Sequence, residues 1–201
     1  MKKYIALLLA IVIVLFVVKM SAFAEENNSL NGKYLIILDV QEIATKKMMD
    51  DGDAENLIKA INSVIAISDS DKVIYIESIA AKLEISLTGL SVKFEDGMQL
   101  DGRLKIVSNN KFVKDKANAF TSERFLQFIE KTNASEFVVV GLMAEHCVTE
   151  TLIGGKEMGY KMYFIPGAIA AESDEGKKVA FEKAMNKGIE EIEISNLIIK
   201  N

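Results

Sequence analysis

The sequence has 201 residues, with 24 Lys and Arg, 29 Asp and Glu, one His and a formal net charge of −5. That length suits one domain with a sizeable core, and the acidic balance excludes nucleic acid as a partner, because phosphate contacts need clustered Lys and Arg. A single cysteine, Cys147, excludes an internal disulfide and leaves three roles: a small buried hydrophobe, a free reactive thiol, or a link to another chain.

The chain opens with Lys2 and Lys3, then an unbroken apolar run from Tyr4 to Val18, then Lys19 and Ala22-Phe23-Ala24 before Glu25. A basic start, an apolar middle and an Ala-x-Ala site are the parts of a secretory signal peptide over residues 1–24. The run of 15 residues falls short of the roughly 20 needed for a permanent span. An uncleaved anchor is the alternative, and only in that case is the membrane a partner. Either way the remainder faces outward, in a periplasmic or extracellular space. Removing residues 1–24, which carry three lysines and no acids, takes the formal charge from −5 to −8.

Residues 25–33 are polar, include Gly32 and read as a linker, so the folded domain is expected over 34–201. Tyr34 to Leu38 is a first buried strand. Leu57, Ile58, Ile61, Val64 and Ile65 share one face at helical spacing, with Asp53 as the expected N-cap. Val73 to Ile76 is a second strand; Ser78 to Asn110, with Gly89, Gly97 and Gly102, is the least legible stretch. Phe112 and Val113 mark a third strand, and Ser122 caps a helix turning Phe125, Phe128 and Ile129 inward. Phe137 to Val140 forms a fourth strand ending at Gly141, followed by a helix from His146 to Met158. Lys161 to Ile165 is a fifth strand closed by the only proline, Pro166. A helix over 174–187 should bury Val179, Phe181 and Met185, and 191–194 add a sixth strand. Apolar strands alternating with helices imply an α/β fold: an open, doubly wound, mainly parallel six-stranded sheet with helices on both faces.

In such sheets ligands bind beyond the carboxyl ends of the strands. The first strand ends in Asp39, the third in Lys114, and Cys147 follows the fourth by a short loop. A thiol at a helix N-terminus beside an ammonium should have a lowered pKa. A carboxylate can take the thiol proton and pass it to a leaving amine. Each residue also has an ordinary reading, as buried filler for the Cys, a turn residue for the Asp and a solvated side chain for the Lys.

The wording around all three resembles the isochorismatase-like cysteine hydrolases. Leu35-Ile36-Ile37-Leu38-Asp39-Val40-Gln41 resembles their first strand, ending Asp-x-Gln. Lys114, six residues before Phe120 in an Ala-Phe pair, resembles their lysine segment. Gly141-Leu142-Met143-Ala144-Glu145-His146-Cys147-Val148 resembles their nucleophile segment, and Thr151 and Gly159-Tyr160 also fall in place. The resemblance covers roughly residues 33–195. It implies a Rossmann-like sheet, Cys147 as nucleophile, Asp39 as proton-transfer group and Lys114 as activating lysine. It also implies a cis peptide between Leu142 and Met143 and an oxyanion site on the backbone N–H groups of Met143 and Cys147. Gln41, Phe120, Leu142 and His146 are the candidates for the substrate pocket.

The departures matter too. The metal-dependent nicotinamidases of the superfamily need an Asp-x-His segment and a further His, whereas this chain has His146 alone. No metal site and no cofactor are therefore expected. Glu145-His146 replaces the usual pairing before the Cys, and Glu42-Ile43-Ala44-Thr45 replaces the usual continuation after Gln41. The expected function is hydrolysis of a C–N bond in a small amide or ureide through a Cys thioester, with a small-molecule substrate and a homo-oligomer as the possible assembly. Vinyl ether hydrolysis, a silent binding protein and a thiol redox protein are the alternatives.

Overall fold

The computed structural model describes residues 30–79, 81–86, 89–94 and 98–193, with backbone alone for the two strands between 81 and 94. The expected signal segment and most of the expected linker lie outside these residues. Among the described residues no helix is long and apolar enough to cross a membrane.

The apolar run at Tyr34–Leu38 forms β1, Glu42–Lys47 forms α1 and Asp51–Ala66 forms α2. Then come β2 (Val73–Ser78) and an antiparallel hairpin of β3 (Ala81–Ser86) and β4 (Gly89–Phe94). β5 (Lys111–Lys114), α3 (Glu123–Thr132) and β6 (Glu136–Gly141) follow. A π-helical turn, Ala144–Val148, runs into α4 (Thr149–Glu157); β7 (Lys161–Ile169), α5 (Asp174–Met185) and β8 (Glu190–Glu191) complete the order.

Six strands form one sheet in the order β5-β2-β1-β6-β7-β8, and each neighbouring pair is parallel. The sheet is open, and its chain order reverses between β1 and β6. That reversal is the crevice where doubly wound folds place their ligands. Alternation along β1 divides the core. Ile36 and Leu38 face a cluster with Phe125, Ile129, Leu152 and Phe181 of α3, α4 and α5. Leu35 and Ile37 face Leu57, Ile58, Ile61, Val64 and Ile65 of α2. Helices thus cover both faces, and the central strands β1, β2 and β6 need an apolar run rather than an alternating one.

Four local expectations are corrected. Asp50, not Asp53, precedes α2, and it makes no side-chain cap bond. The helical run after β6 begins at Ala144, two residues before His146. β7 does not stop at Pro166 but continues to Ile169. Its pairing with β6 jumps from Val139↔Phe164 to Gly141↔Ile169, so Pro166 sits in a bulged stretch where its missing N–H is not needed. In α5 the buried side is Ala180, Phe181 and Ala184; Val179 is 54% exposed and Met185 faces solvent as well.

Candidate active site

Three strand ends converge at the crevice. Asp39 leaves β1 with a left-handed backbone (φ 56°), a conformation Asp tolerates better than bulky residues. Its N–H bonds the Ile76 carbonyl of β2 (2.9 Å), so the turn is fixed from the neighbouring strand. Lys114 ends β5 in register with Ser78 at the end of β2. Gly141 ends β6 opposite Leu38, with φ 120°. A side chain at 141 would place its Cβ 2.1 Å from the Leu38 carbonyl oxygen, so only glycine permits the close approach of the loop carrying Cys147 to the end of β1.

The chain then passes a cis peptide between Leu142 and Met143, where the resemblance places it. The π-helical turn behind it is closed by the Met143 carbonyl, which accepts from His146 N–H (3.1 Å) and Val148 N–H (3.2 Å). Thr149 adds a 2.6 Å bond from its hydroxyl to the Ala144 carbonyl. The turn carries Cys147 into the crevice. The Met143 N–H has no acceptor among the described residues, as an oxyanion donor requires.

The Lys114 ammonium, 1% exposed at the side chain, stands at the centre. It lies 2.9 Å from Asp39 Oδ2, 3.2 Å from Cys147 Sγ and 2.8 Å from Ser78 Oγ. Three ammonium protons thus meet three acceptors, which is how a buried cation avoids the cost of an unmet donor. Ser78 in turn donates its hydroxyl proton to Asp39 Oδ1 at 2.8 Å.

The thiol does not have the lowered pKa expected for it. Burial pushes the Cys147 thiol up to about 11, and the Asp39 carboxylate pushes the same way by charge and by hydrogen bonding. Lys114 opposes them and does not win. Burial and the Asp39 carboxylate thus both favour the neutral thiol over the thiolate.

The remaining candidates are placed as follows. Gln41 is buried, and its carboxamide is spent on main chain: Oε1 accepts from Ser78 N–H (2.9 Å), and Nε2 donates to the Ser78 carbonyl (3.0 Å) and to the Met98 carbonyl. Phe120 is a core residue, its ring against Phe125, Phe137 and Tyr160. Leu142 is buried in the other cluster. His146 is exposed and pairs through Nε2 with Glu172 Oε1 at 3.1 Å. Glu145 accepts from the N–H groups of Glu172 and Ser173 just ahead of α5. Ser78 is the residue sequence reasoning missed; the strand-end rule that picked Asp39 and Lys114 would have found it, had β2 been followed two residues further.

The sequence pattern of the family described as Isochorismatase domain matches residues 33–194. Among solved structures, a pyrazinamidase/nicotinamidase from Streptococcus mutans UA159 is similar at 21% identity and a TM-score of 0.65, over 80% of this chain and all of that one. An isochorismatase-like hydrolase from Alkaliphilus metalliredigens is similar at 14% identity and a TM-score of 0.66, over 80% and 94%. A pyrazinamidase of Pyrococcus horikoshii, in complex with zinc, is similar at 15% identity and a TM-score of 0.64, over 80% and 98%. At these identities the likeness is one of fold. No curated protein matches the chain significantly. A zinc ion of the kind held by the Pyrococcus protein does not fit the residues described here. The sole histidine is paired with Glu172 at the surface, and no three His, Cys, Asp or Glu side chains among the described residues stand together for a metal.

Proposed function

Because the chain belongs to the isochorismatase family of hydrolases, we propose that it is an exported cysteine hydrolase that cleaves the C–N bond of a small amide or ureide without a metal. The observation that carries this reading is the Lys114 ammonium held 2.9 Å from the Asp39 carboxylate and 3.2 Å from the Cys147 sulfur at the sheet's switch point. Residues 1–24, with a basic start, an apolar run and Ala-x-Ala, support export.

Proton transfer from the thiol accompanies its attack. Asp39 takes the Cys147 proton as the sulfur forms a bond to the substrate carbonyl carbon. Lys114 stabilises the sulfur's developing negative charge. The oxyanion is met by the N–H groups of Met143 and Cys147. Collapse breaks the C–N bond, and Asp39 hands its proton to the leaving nitrogen. A water then gives a proton to Asp39 while its oxygen attacks the thioester; the C–S bond breaks, the acid leaves and the sulfur is reprotonated. The intact Asp, Lys and Cys favour this over vinyl ether cleavage, and similar structures bear names of amide hydrolases.

A screen of small amides, ureides and nicotinamide with the purified protein tests this. Turnover of at least one is expected, together with its complete loss in Cys147→Ala. Turnover that survives the substitution, or none with any amide, would overturn the reading.

A further inference from the structure

We propose that Ser78 is a positioning residue of this site: its hydroxyl, held in place by the Gln41 carboxamide, fixes the Lys114 ammonium between the Asp39 carboxylate and the Cys147 sulfur. The inference rests on Asp39, Lys114 and Cys147 being the catalytic set.

Two features carry it. The first is the direction of the hydrogen bonds. Lys114 Nζ has only protons to give, so its 2.8 Å contact with Ser78 Oγ uses an oxygen lone pair. The hydroxyl proton is then free to go only to the other neighbour, Asp39 Oδ1, also at 2.8 Å. One hydroxyl thus orients both charged groups, accepting from the cation and donating to the anion. Without it, the Lys114 ammonium, 1% exposed at the side chain, has one proton with no acceptor among the described residues. The ammonium then swings toward its strongest partner, the carboxylate, and away from the sulfur.

The second feature is how firmly Ser78 itself is held. It ends β2, in register with Lys114 of β5. The ladder of β2 with β1 stops two residues earlier, at Leu38↔Ile76, and on that flank the Gln41 side chain takes over by bonding both the N–H and the carbonyl of Ser78, at 2.9 and 3.0 Å. Both ends of this buried carboxamide are thus committed to main chain. Gln41 therefore acts through Ser78, and its own effect on the thiol should be lost when the hydroxyl is absent.

The test reads the thiol and needs no substrate: the rate of Cys147 alkylation by iodoacetamide in the purified protein, from about pH 6 to about pH 10. Lys114 lowers the thiol pKa, so Ser78→Ala, by letting the ammonium drift, should slow alkylation about tenfold at a given pH, equal to a shift of about one pH unit. Ser78→Thr keeps a hydroxyl and should recover most of the rate. In a Lys114→Met background, adding Ser78→Ala should change nothing further. Should the alanine variant not fold, Ser78→Gly lacks the hydroxyl equally and replaces it. A wild-type profile in the variant lacking the hydroxyl, a threonine variant as slow as that variant, or an equal slowing without Lys114 would each overturn the assignment. Turnover that survives Cys147→Ala defeats the cysteine-hydrolase reading whatever Ser78 does. Turnover that needs Cys147 beside an unchanged Ser78→Ala profile defeats the Ser78 assignment alone.

Discussion

At the scale of single residues, the Cys147 sulfur sits between two charges that act in opposite directions, and each can be removed separately. The Asp39 carboxylate raises the thiol pKa and the Lys114 ammonium lowers it. Asp39→Asn should therefore let the thiol ionise at lower pH, so alkylation near pH 8 becomes about tenfold faster or more. Turnover should vanish in the same variant, because the proton acceptor is gone. Lys114→Met should slow both alkylation and turnover. Stopped-time alkylation followed by intact mass measures the first effect, and an amide hydrolysis assay the second. Equal signs for the two alkylation changes would refute the opposed-charge account. Asp39, Lys114 and Cys147 were legible because the first two stand at strand ends and the third closely follows one, each with a distinctive segment: Val40-Gln41, Ala119-Phe120 and Gly141. Ser78 was not. The second strand was expected to end at Ile76, two residues short of it, and the β2–β5 register is what sets it beside Lys114. The sign of the thiol shift was equally illegible, since it depends on burial competing with two nearby charges.

Among elements, the turn that carries Cys147 depends on two close approaches. Gly141 lets the end of β6 meet Leu38, and Gly154 lets α4 meet the Asn118 side chain, where a Cβ would fall 2.0 Å from Nδ2. Ala119 N–H reaches Thr151 Oγ1 at 3.0 Å, which ties the segment after Lys114 to the helix after Cys147. The Ala-Phe pair and Thr151 of the sequence pattern are thus the docking surface that sets lysine and thiol at bonding distance. Gly141→Ala adds both a backbone clash and a disfavoured φ, and should destabilise the fold by about 3 kcal/mol or more, read as a lowered urea midpoint. An unfolding free energy within about 0.5 kcal/mol of wild type would show that the loop accommodates a Cβ. The long apolar strands and their helices were readable from pattern. The passage of β7 through Pro166 was not, because proline is a stop signal unless the partner strand is out of register at that point. The inward side of α5 was misjudged because its buried face rests on two alanines and one phenylalanine.

For the molecule as a whole, a second polar cluster secures the connection after the hairpin. Asp101 is buried, accepts from the Thr45 hydroxyl and binds Arg103 through two nitrogens at 3.0 and 2.8 Å. Its N–H bonds the Val40 carbonyl, which pins the segment across the end of β1. The Arg103 guanidinium holds the Asp101 carboxyl well below the usual carboxylate range. A depressed carboxylate adds stability above its unfolded pKa of about 4, and that stability is lost as pH falls toward the folded value. Asp101→Asn should therefore be less stable than wild type at neutral pH, and the gap in urea midpoint should narrow as pH drops below about 4. A gap independent of pH would assign the cluster to packing alone. Export is checked by the mass of the protein recovered outside the cytoplasm, expected to begin at Glu25; full-length protein in the membrane fraction would identify an uncleaved anchor instead.

The sequence by itself determined the class of fold and the order of the main strands, because buried parallel strands require apolar runs; the strand ends made Asp39, Lys114 and Cys147 candidates, and the resemblance to the isochorismatase-like hydrolases supplied their expected roles. Only the tertiary structure decided what those residues do to one another. Hydrogen-bond direction, the Ser78 bridge, the commitment of Gln41 to main chain and the raised thiol pKa all arise from groups brought together across four strands. The forces that set them fall off within a few ångströms, and no spacing along the chain encodes that distance.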